Sequence, residues 1–560
     1  MKKGDIRKWI DIEGCKNMLF FSQLVNELLF DYSIPSNRIS TLNSHYLVLD
    51  AMSAIQSIER RGVPEGTLKP IIEELYCELD KDVIFENKEP LDYFLKLQGG
   101  NTPQIAKPQD LNYNDGKKCV QAINSVFFDK NKYFELLKDS IIENVKSNKS
   151  EEQQKLFRLT KSLLTELMNS GYSLKYIYVV MEKLFWNPEQ VIDSTDRIDD
   201  FFAFFDYEMK KYTIVFKVKW LKMNPFISHL EGMDFSDSLP EDIAEKIDKR
   251  FINKKSDEKF IVLEKSDLDP YSAAETAISM IEDNTAVYRL YNHSYRYDIK
   301  TADYRSLDDE KAYKKGKSIQ AVEHIRMPKE EQIVDSINLA AESIMGLAMN
   351  GYYGDFKSIM NAVKYHAHSL DSSAEENQLL DLWAIFESVL DISNKHTSDR
   401  IIQICDYLVP ILKYKYLYSL FNQLAEDIRS YDITWYGEFV ESCKDKNEIQ
   451  SIAEFVLLDE YKSCREDFYA KCDEFPLLKE RIVYYNKILT SKQNVYSYVE
   501  KHANRVLWQV MRIYRNRNLI IHNADKMPYL KLLIENLHSY VDEFINYVTQ
   551  TSHINFIYAP

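Results

Sequence analysis

Glycine is scarce in this chain. Its 560 residues include 14 Gly, about a third of the ~7% usual in soluble proteins. That scarcity disfavours architectures built on Gly-rich phosphate loops or many tight hairpins. Cysteine is thin too, with seven residues at 15, 77, 119, 405, 443, 464 and 472 and no C-x2-C pair. An odd, scattered set suits neither a zinc knuckle nor a redox motif, and reads as reduced thiols in a cytoplasmic protein. No run approaches the ~18–20 apolar residues that cross a bilayer. The opening MKKGDIRKWIDIEG lacks the apolar core of a signal peptide, so no membrane partner is expected. Positive charge is also in deficit: 71 Lys plus Arg stand against 87 Asp plus Glu, a formal charge of −16. This excludes a general nucleic-acid coat and leaves room only for a local basic site.

What is present points to helix. Hydrophobic residues make up 45% of the chain, with 38 Tyr and 28 Phe, enough to bury real cores. The length allows about three domains. Residues 1–204 read as a helical region, a candidate sensor or regulatory module. Within it Leu156, Leu159, Leu163, Leu164 and Leu167 fall at helical spacing, with Gly171 as the C-cap, whereas NKEPLDYFLKLQGGNTPQIAKPQDLNYNDGKK reads as a long surface loop. Residues 205–324 read as a small α+β domain with a charged linker. Strands are expected at Lys210–Trp220 and Ile261–Leu263, a helix opens at Asp269 and Pro270, TAVYRLYNH returns to strand, and TADYRSLDDEKAYKKGKS is the linker.

Residues 325–560 read as a helical bundle. Four apolar stripes carry this expectation: Ile333, Ile337, Ala340, Ile344 and Leu347; Leu379, Trp383, Phe386 and Leu390; Val499, Ala503, Val506, Val510 and Ile513; and Leu530, Leu533, Leu537, Val541 and Phe544. The stretch at about 395–490, also helical, reads as an insertion or added layer. The fold class is thus mainly α with a small α+β middle domain and a C-terminal bundle.

Familiar enzyme signatures are missing. KKGKS at Lys314–Ser318 ends like a P-loop, but the earlier Gly position holds Lys311 and no strand feeds it. H-E-x-x-H, G-x-S-x-G and G-x-G-x-x-G do not occur. His366 and His368 stand two apart, which on a helix turns them ~200° from each other and argues against shared metal ligation. No metal and no cofactor is expected. A nucleotide-sensing regulator has little to support it, because the middle region shows no phosphate loop.

One basic segment stands out. Residues 496–531 hold seven Lys or Arg against two acids, Glu500 and Asp525. The helix there ends in RIYRNRNLIIHNADKMP, with Arg505, Arg512 and Arg515 as candidate RNA-binding residues and Arg517, Asn518 and His522 as the candidate catalytic set. These side chains have the parts for metal-free RNA cleavage. The 2′-OH attacks its own phosphodiester, His522 transfers protons, Arg517 stabilises transition-state charge, and Asn518 positions the imidazole or the phosphate. Five residues of ideal helix turn ~140°, so Arg517 and His522 do not share a face. Either the helix unwinds between them or two subunits each contribute to one composite site, and the dimer is the favoured reading. The competing structural reading has Arg517 in an ion pair of its own bundle and His522 capping a helix.

The segment Arg517-Asn518-Leu519-Ile520-Ile521-His522 resembles the R-x4–6-H motif of the HEPN superfamily ribonucleases. QLLDLWAIFESVL, with Trp383 and Glu387, is similar to a helix of Apea-like HEPN domains. The resemblance covers roughly 325–550, and the 395–490 insertion departs from a minimal domain. It implies a helical domain that dimerises, as a dimer or higher homo-oligomer, so that two motifs face each other, a metal-independent endoribonuclease, and RNA as substrate, with tRNA a candidate. It also implies an antiviral abortive-infection or toxin effector answering a phage-derived trigger. Glu387 is a supporting residue, expected to pair with Arg517 or orient His522. Arg38 and His45 also meet the loosest spacing, in a polar stretch without a helix pattern, and read as accidental. The alternative function is a non-catalytic scaffold for dimerisation or RNA binding, which would need the arginines but not the histidine.

Overall fold

The computed structural model describes residues 6–29, 42–95, 111–219, 229–289, 303–314, 353–390, 397–523 and 527–550, apart from isolated positions within these stretches. The protein is mainly helical with one small antiparallel sheet. It divides into two compact units. The first takes residues 1–166, 185–199 and 320–560, and the second residues 167–184 and 200–319. Among the described residues no helix is long and apolar enough to cross a membrane.

The first unit begins with helices α1 (Lys16–Leu29), α2 (Ser44–Arg61), α3 (Leu68–Lys81), α4 (Tyr113–Phe127), α5 (Lys132–Ser147) and α6 (Gln153–Asn169). The unit boundary falls inside α6, after Glu166. The leucine stripe of α6 is fully buried at all five expected positions. Gly171 ends the helix at φ +110°, where Tyr172 N–H donates to the Leu167 carbonyl at 3.0 Å. A side chain there would be strained, which is why glycine occupies the cap. The expected loop is helical at both ends. Asp92–Leu95 forms one turn that buries Phe94, and Tyr113 starts α4, capped by Asn112 accepting from Asp115 N–H. His45 bonds Glu166 at 2.8 Å and stacks on Phe128, a structural role; Arg38 lies outside the described residues.

The second unit holds α7 (Leu174–Met181), strands β1 (Lys210–Lys219), β2 (His229–Leu230) and β3 (Met233–Ser236), α8 (Glu241–Lys246), β4 (Glu258–Asp267), α9 (Pro270–Arg289), β5 (Tyr304–Leu307) and β6 (Ala312–Lys314). The six strands run in the order β2-β3-β4-β1-β5-β6, all antiparallel. Alternation in β1 puts Tyr212, Ile214, Phe216 and Val218 on the face that α9 covers with Ala273, Ala274, Ala277 and Ile281. Val215 points the other way, against Phe251 and Phe260. Asp269 opens α9. It accepts from the backbone N–H groups of Ser173, Tyr271 and Ser272 and from the Ser173 hydroxyl, while burial pushes its carboxyl up to about 6.

Two expectations fail in this unit. Thr285–Arg289, expected to return to strand, continues α9. The expected linker supplies β5 and β6 instead. Its charges hid the strands, but Arg305 is buried by donating to Asp248 at 3.0 Å and lying over the Phe251 ring at 4.3 Å.

The first unit resumes with α10 (Tyr353–Asp371), α11 (Glu375–Val389), α12 (Thr397–Tyr414), α13 (Tyr416–Tyr431), α14 (Ile433–Ser442), α15 (Glu448–Leu457), α16 (Lys462–Lys471), α17 (Pro476–Ile488), α18 (Lys492–Asn523) and α19 (Leu530–Gln550). Helices α10, α11, α12, α18 and α19 pack on one another as a bundle. The stripes of α11 and α19 are buried throughout, and that of α18 from Ala503 onward. The stripe expected at Ile333–Leu347 lies outside the described residues. The 395–490 stretch is helical as expected, yet α12 belongs to the bundle and only α13–α17 form an added layer.

The divisions expected at 204/205 and 324/325 are not the ones observed. Residues 1–166 share a core with 320–560. Helix α1 packs on α17 and α3 on α18. Buried polar groups fix these contacts: Arg481 of α17 lies 3.4 Å from Glu27 of α1 and 3.3 Å from Asp427 of α13, and Gln23 donates to the Glu474 carbonyl at 3.0 Å. The α1 residues stand hundreds of positions from their partners in sequence, so periodicity within either stretch carries no sign of the pairing.

Candidate functional site

Helix α18 carries the basic segment, and its neighbours sort that segment into different environments. Arg512 is 1% exposed. It pairs with Glu74 of α3 and stands 3.7 Å from Asp50 of α2. Arg515, one turn on, donates to the same Asp50 at 2.7 Å, and the Tyr529 hydroxyl donates to its other oxygen at 2.9 Å. Burial pushes the Glu74 carboxyl up, against the pull of Arg512. Asn516, also buried, donates to the Arg512 carbonyl at 3.0 Å.

Arg512 and Arg515 therefore do not form the RNA-binding surface expected of them. Their charges are consumed by Asp50 and Glu74, which sequence reading missed because nothing local marks an acid as the partner of a base hundreds of residues away. Arg505 differs, being exposed. His502 is buried flat against Tyr416 with ring centroids 3.6 Å apart. Burial, with Arg505 nearby, pushes its imidazole down to about 3.

The end of α18 is laid out differently. The helix stays intact through Asn523, so it does not unwind between Arg517 and His522. Arg517 is partly exposed; its guanidinium donates to the Asn518 side-chain oxygen at 3.0 Å and stands 3.5 Å from Glu387 of α11. The same Glu387 oxygen accepts the Trp383 indole N–H at 3.0 Å, one helical turn away. Tyr514 packs its ring against Trp383 at 5.5 Å. Arg517, Asn518, Glu387 and Trp383 thus form one surface cluster. His522 is exposed on the last turn, separated from Arg517 by about 140° of rotation and about 7.5 Å of rise. Within one chain the cluster and the imidazole face different directions.

Among the described residues no group of His, Cys, Asp and Glu has the arrangement to hold a metal ion. His366 sits 3.5 Å from Asp542 and edge-on to the His538 ring, away from His368 as the spacing required. Neither a family model, nor a curated protein, nor a solved structure matches the chain.

Proposed function

We propose that the chain is a metal-independent endoribonuclease whose composite site brings Arg517 of one copy to His522 of a second, as in the HEPN-type enzymes that its C-terminal segment resembles. The observation that carries the reading is the intact helix at Arg517–His522. It keeps both side chains at the surface but turns them apart, which supports a site completed by a second copy. In this mechanism the substrate 2′-OH attacks the adjacent phosphorus, the bond to the 5′-oxygen breaks, and a 2′,3′-cyclic phosphate remains. His522 takes the hydroxyl proton or returns one to the leaving oxygen. Arg517 faces the charge that develops on the non-bridging oxygens. Glu387 and Asn518 hold the guanidinium from either side and act as positioning residues. An antiviral or toxin role, a phage-derived trigger and a cytoplasmic setting belong to the same proposal.

The test is incubation of the full chain with total tRNA in EDTA beside Arg517→Ala and His522→Ala. Both substitutions lie at partly or fully exposed positions, so the fold is expected to persist. Cleavage that yields cyclic-phosphate ends and falls by about 10²–10⁴ in each variant supports the reading. Mixing the two variants restores part of the activity if a site draws on two copies. A second reading, a non-catalytic RNA-binding or dimerisation scaffold, gains from the partial neutralisation of Arg517 by Glu387. It predicts RNA binding without cleavage, unchanged by His522→Ala.

A further inference from the structure

A cavity of about 770 Å³ lies inside the first unit, walled by α3, α6, α17, α18 and α19. Its size is that of a small-molecule site. The walls come from both ends of the chain, and cations converge on it from two helices. Helix α6 presents Arg158 and Lys161, three residues apart, and α18 presents Lys501 and Arg505, four apart, so each pair occupies one helix face. Arg505 acts on the Lys161 ammonium, and both Arg158 and Arg505 act on the Tyr484 phenol beside them.

The lining carboxylates are occupied elsewhere. Glu74 takes Arg512, Glu78 takes Lys81 at 2.9 Å, and Asp80 takes Lys88. Asp82 accepts the Tyr133 hydroxyl at 2.6 Å, Glu480 accepts the Gln154 amide at 2.8 Å, and burial pushes both carboxyls up. Among the described residues neither Arg158, Lys501 nor Arg505 forms an ion pair. Lys161 is surrounded by protein, and its ammonium is pushed down to about 8 chiefly by burial. Its side chain is half-buried and lines the cavity. Arg158, Lys501 and Arg505 are thus exposed cations on one lining, positive charge that an anion entering the cavity matches. The same wall carries Tyr484 and Trp508, flat rings able to stack on a base.

We propose that this cavity binds a nucleotide-class ligand, a phosphorylated small molecule with an aromatic base. Its phosphates lie between Arg158 and Lys161 on one side and Lys501 and Arg505 on the other, with the base toward Tyr484 and Trp508. The proposal does not depend on the nuclease reading, because none of these residues belongs to the Arg517 cluster.

Isothermal titration calorimetry on the full chain tests it with the four ribonucleoside triphosphates, inorganic triphosphate, adenosine and a short single-stranded RNA. The expected result is that at least one nucleoside triphosphate binds more tightly than inorganic triphosphate. Arg158→Ala or Arg505→Ala then weakens binding about tenfold or more, and the pair abolishes it. Both positions are exposed, so an unchanged melting temperature without ligand shows that the variants fold. The proposal is overturned if no nucleoside triphosphate binds at about 1 mM, the weak limit of useful affinity. It also fails if binding survives the double substitution. Inorganic triphosphate binding as tightly as any nucleotide removes the base from the site, and binding of the RNA alone makes the cavity part of an RNA path.

Discussion

Two stretches of one helix show how differently the same charge behaves in different company. Around Arg512 and Arg515, α18 faces α2 and α3; Arg512 meets the half-buried Glu74, and both guanidinium groups meet the buried Asp50. Around Lys501 and Arg505, two to three turns earlier, α18 faces the cavity, and the described residues offer no carboxylate to either. The first stretch closes the chain's two ends on each other. The second leaves positive charge beside a cavity. Cations on a helix therefore mark a binding surface only where the neighbouring elements leave them unmatched, and that condition is set by packing.

The largest expected effect breaks the matched stretch. Arg512→Ala leaves the half-buried Glu74 without its partner and the buried Asp50 with only Arg515, at a cost of about 3–5 kcal/mol in urea unfolding. If α2 and α3 were a loosely attached module, the loss would stay within the ±0.5 kcal/mol typical of surface changes. A truncation beginning near residue 325 is expected to unfold or aggregate for the same reason, since it exposes the core shared with α1 and α3.

A smaller effect depends on pH. His502 takes a proton at about 3 in the folded chain, against about 6.5 when unfolded. Between these values the unfolded state binds more protons, so stability is complete above 6.5 and is lost as pH falls. At pH 5 the loss from this residue amounts to about 2 kcal/mol. His502→Phe, which keeps a ring against Tyr416, is expected to flatten that part of the profile in thermal melts between pH 7 and 5. An unchanged slope would mean that His502 is solvated rather than stacked.

The smallest effects sharpen the contrast from the cavity side. Lys161→Met removes a charge held at the cavity wall and is expected to stabilise the protein by roughly 1 kcal/mol. The folded ammonium gives up its proton at about 8 and the unfolded one at about 10.5, so this group makes wild-type stability rise with pH across that window. Melts of wild type and variant at pH 7.5 and 9.5 check this; the gap between them should narrow at the higher value. Arg505→Ala, at an exposed position, should shift stability by less than about 0.5 kcal/mol. A large loss in either variant would show that these cations hold the fold together as Arg512 does.

Apolar periodicity makes most of the helices legible in the amino-acid sequence. The stripes of α6, α11, α18 and α19 are local facts, buried where expected except at Val499, at the start of the α18 stripe, because one turn of helix predicts the next. The alternation of Lys210–Lys219 marks β1 in the same way. Charge misleads where burial compensates it. β5 and β6 read as a linker because Arg305 argues for solvent, and Asp248, 57 residues earlier, reverses that argument. The catalytic candidates are legible as a cluster of residue types at the end of α18, and their separation of about 140° follows from helix geometry. Whether the helix survives between them is not, since a turn holds or breaks according to what packs beside it.

The sequence by itself determined the class of element at most positions, the absence of familiar phosphate and metal motifs, and the concentration of base between residues 496 and 531. Only the tertiary structure decided how the chain divides and which of those bases are spent on Asp50 and Glu74. It alone brought Arg158 and Lys161 across from Lys501 and Arg505. The physical reason is range. Backbone propensity and apolar periodicity act within a few turns, whereas an ion pair or a cavity wall joins residues by position in space, with no regard for their distance along the chain.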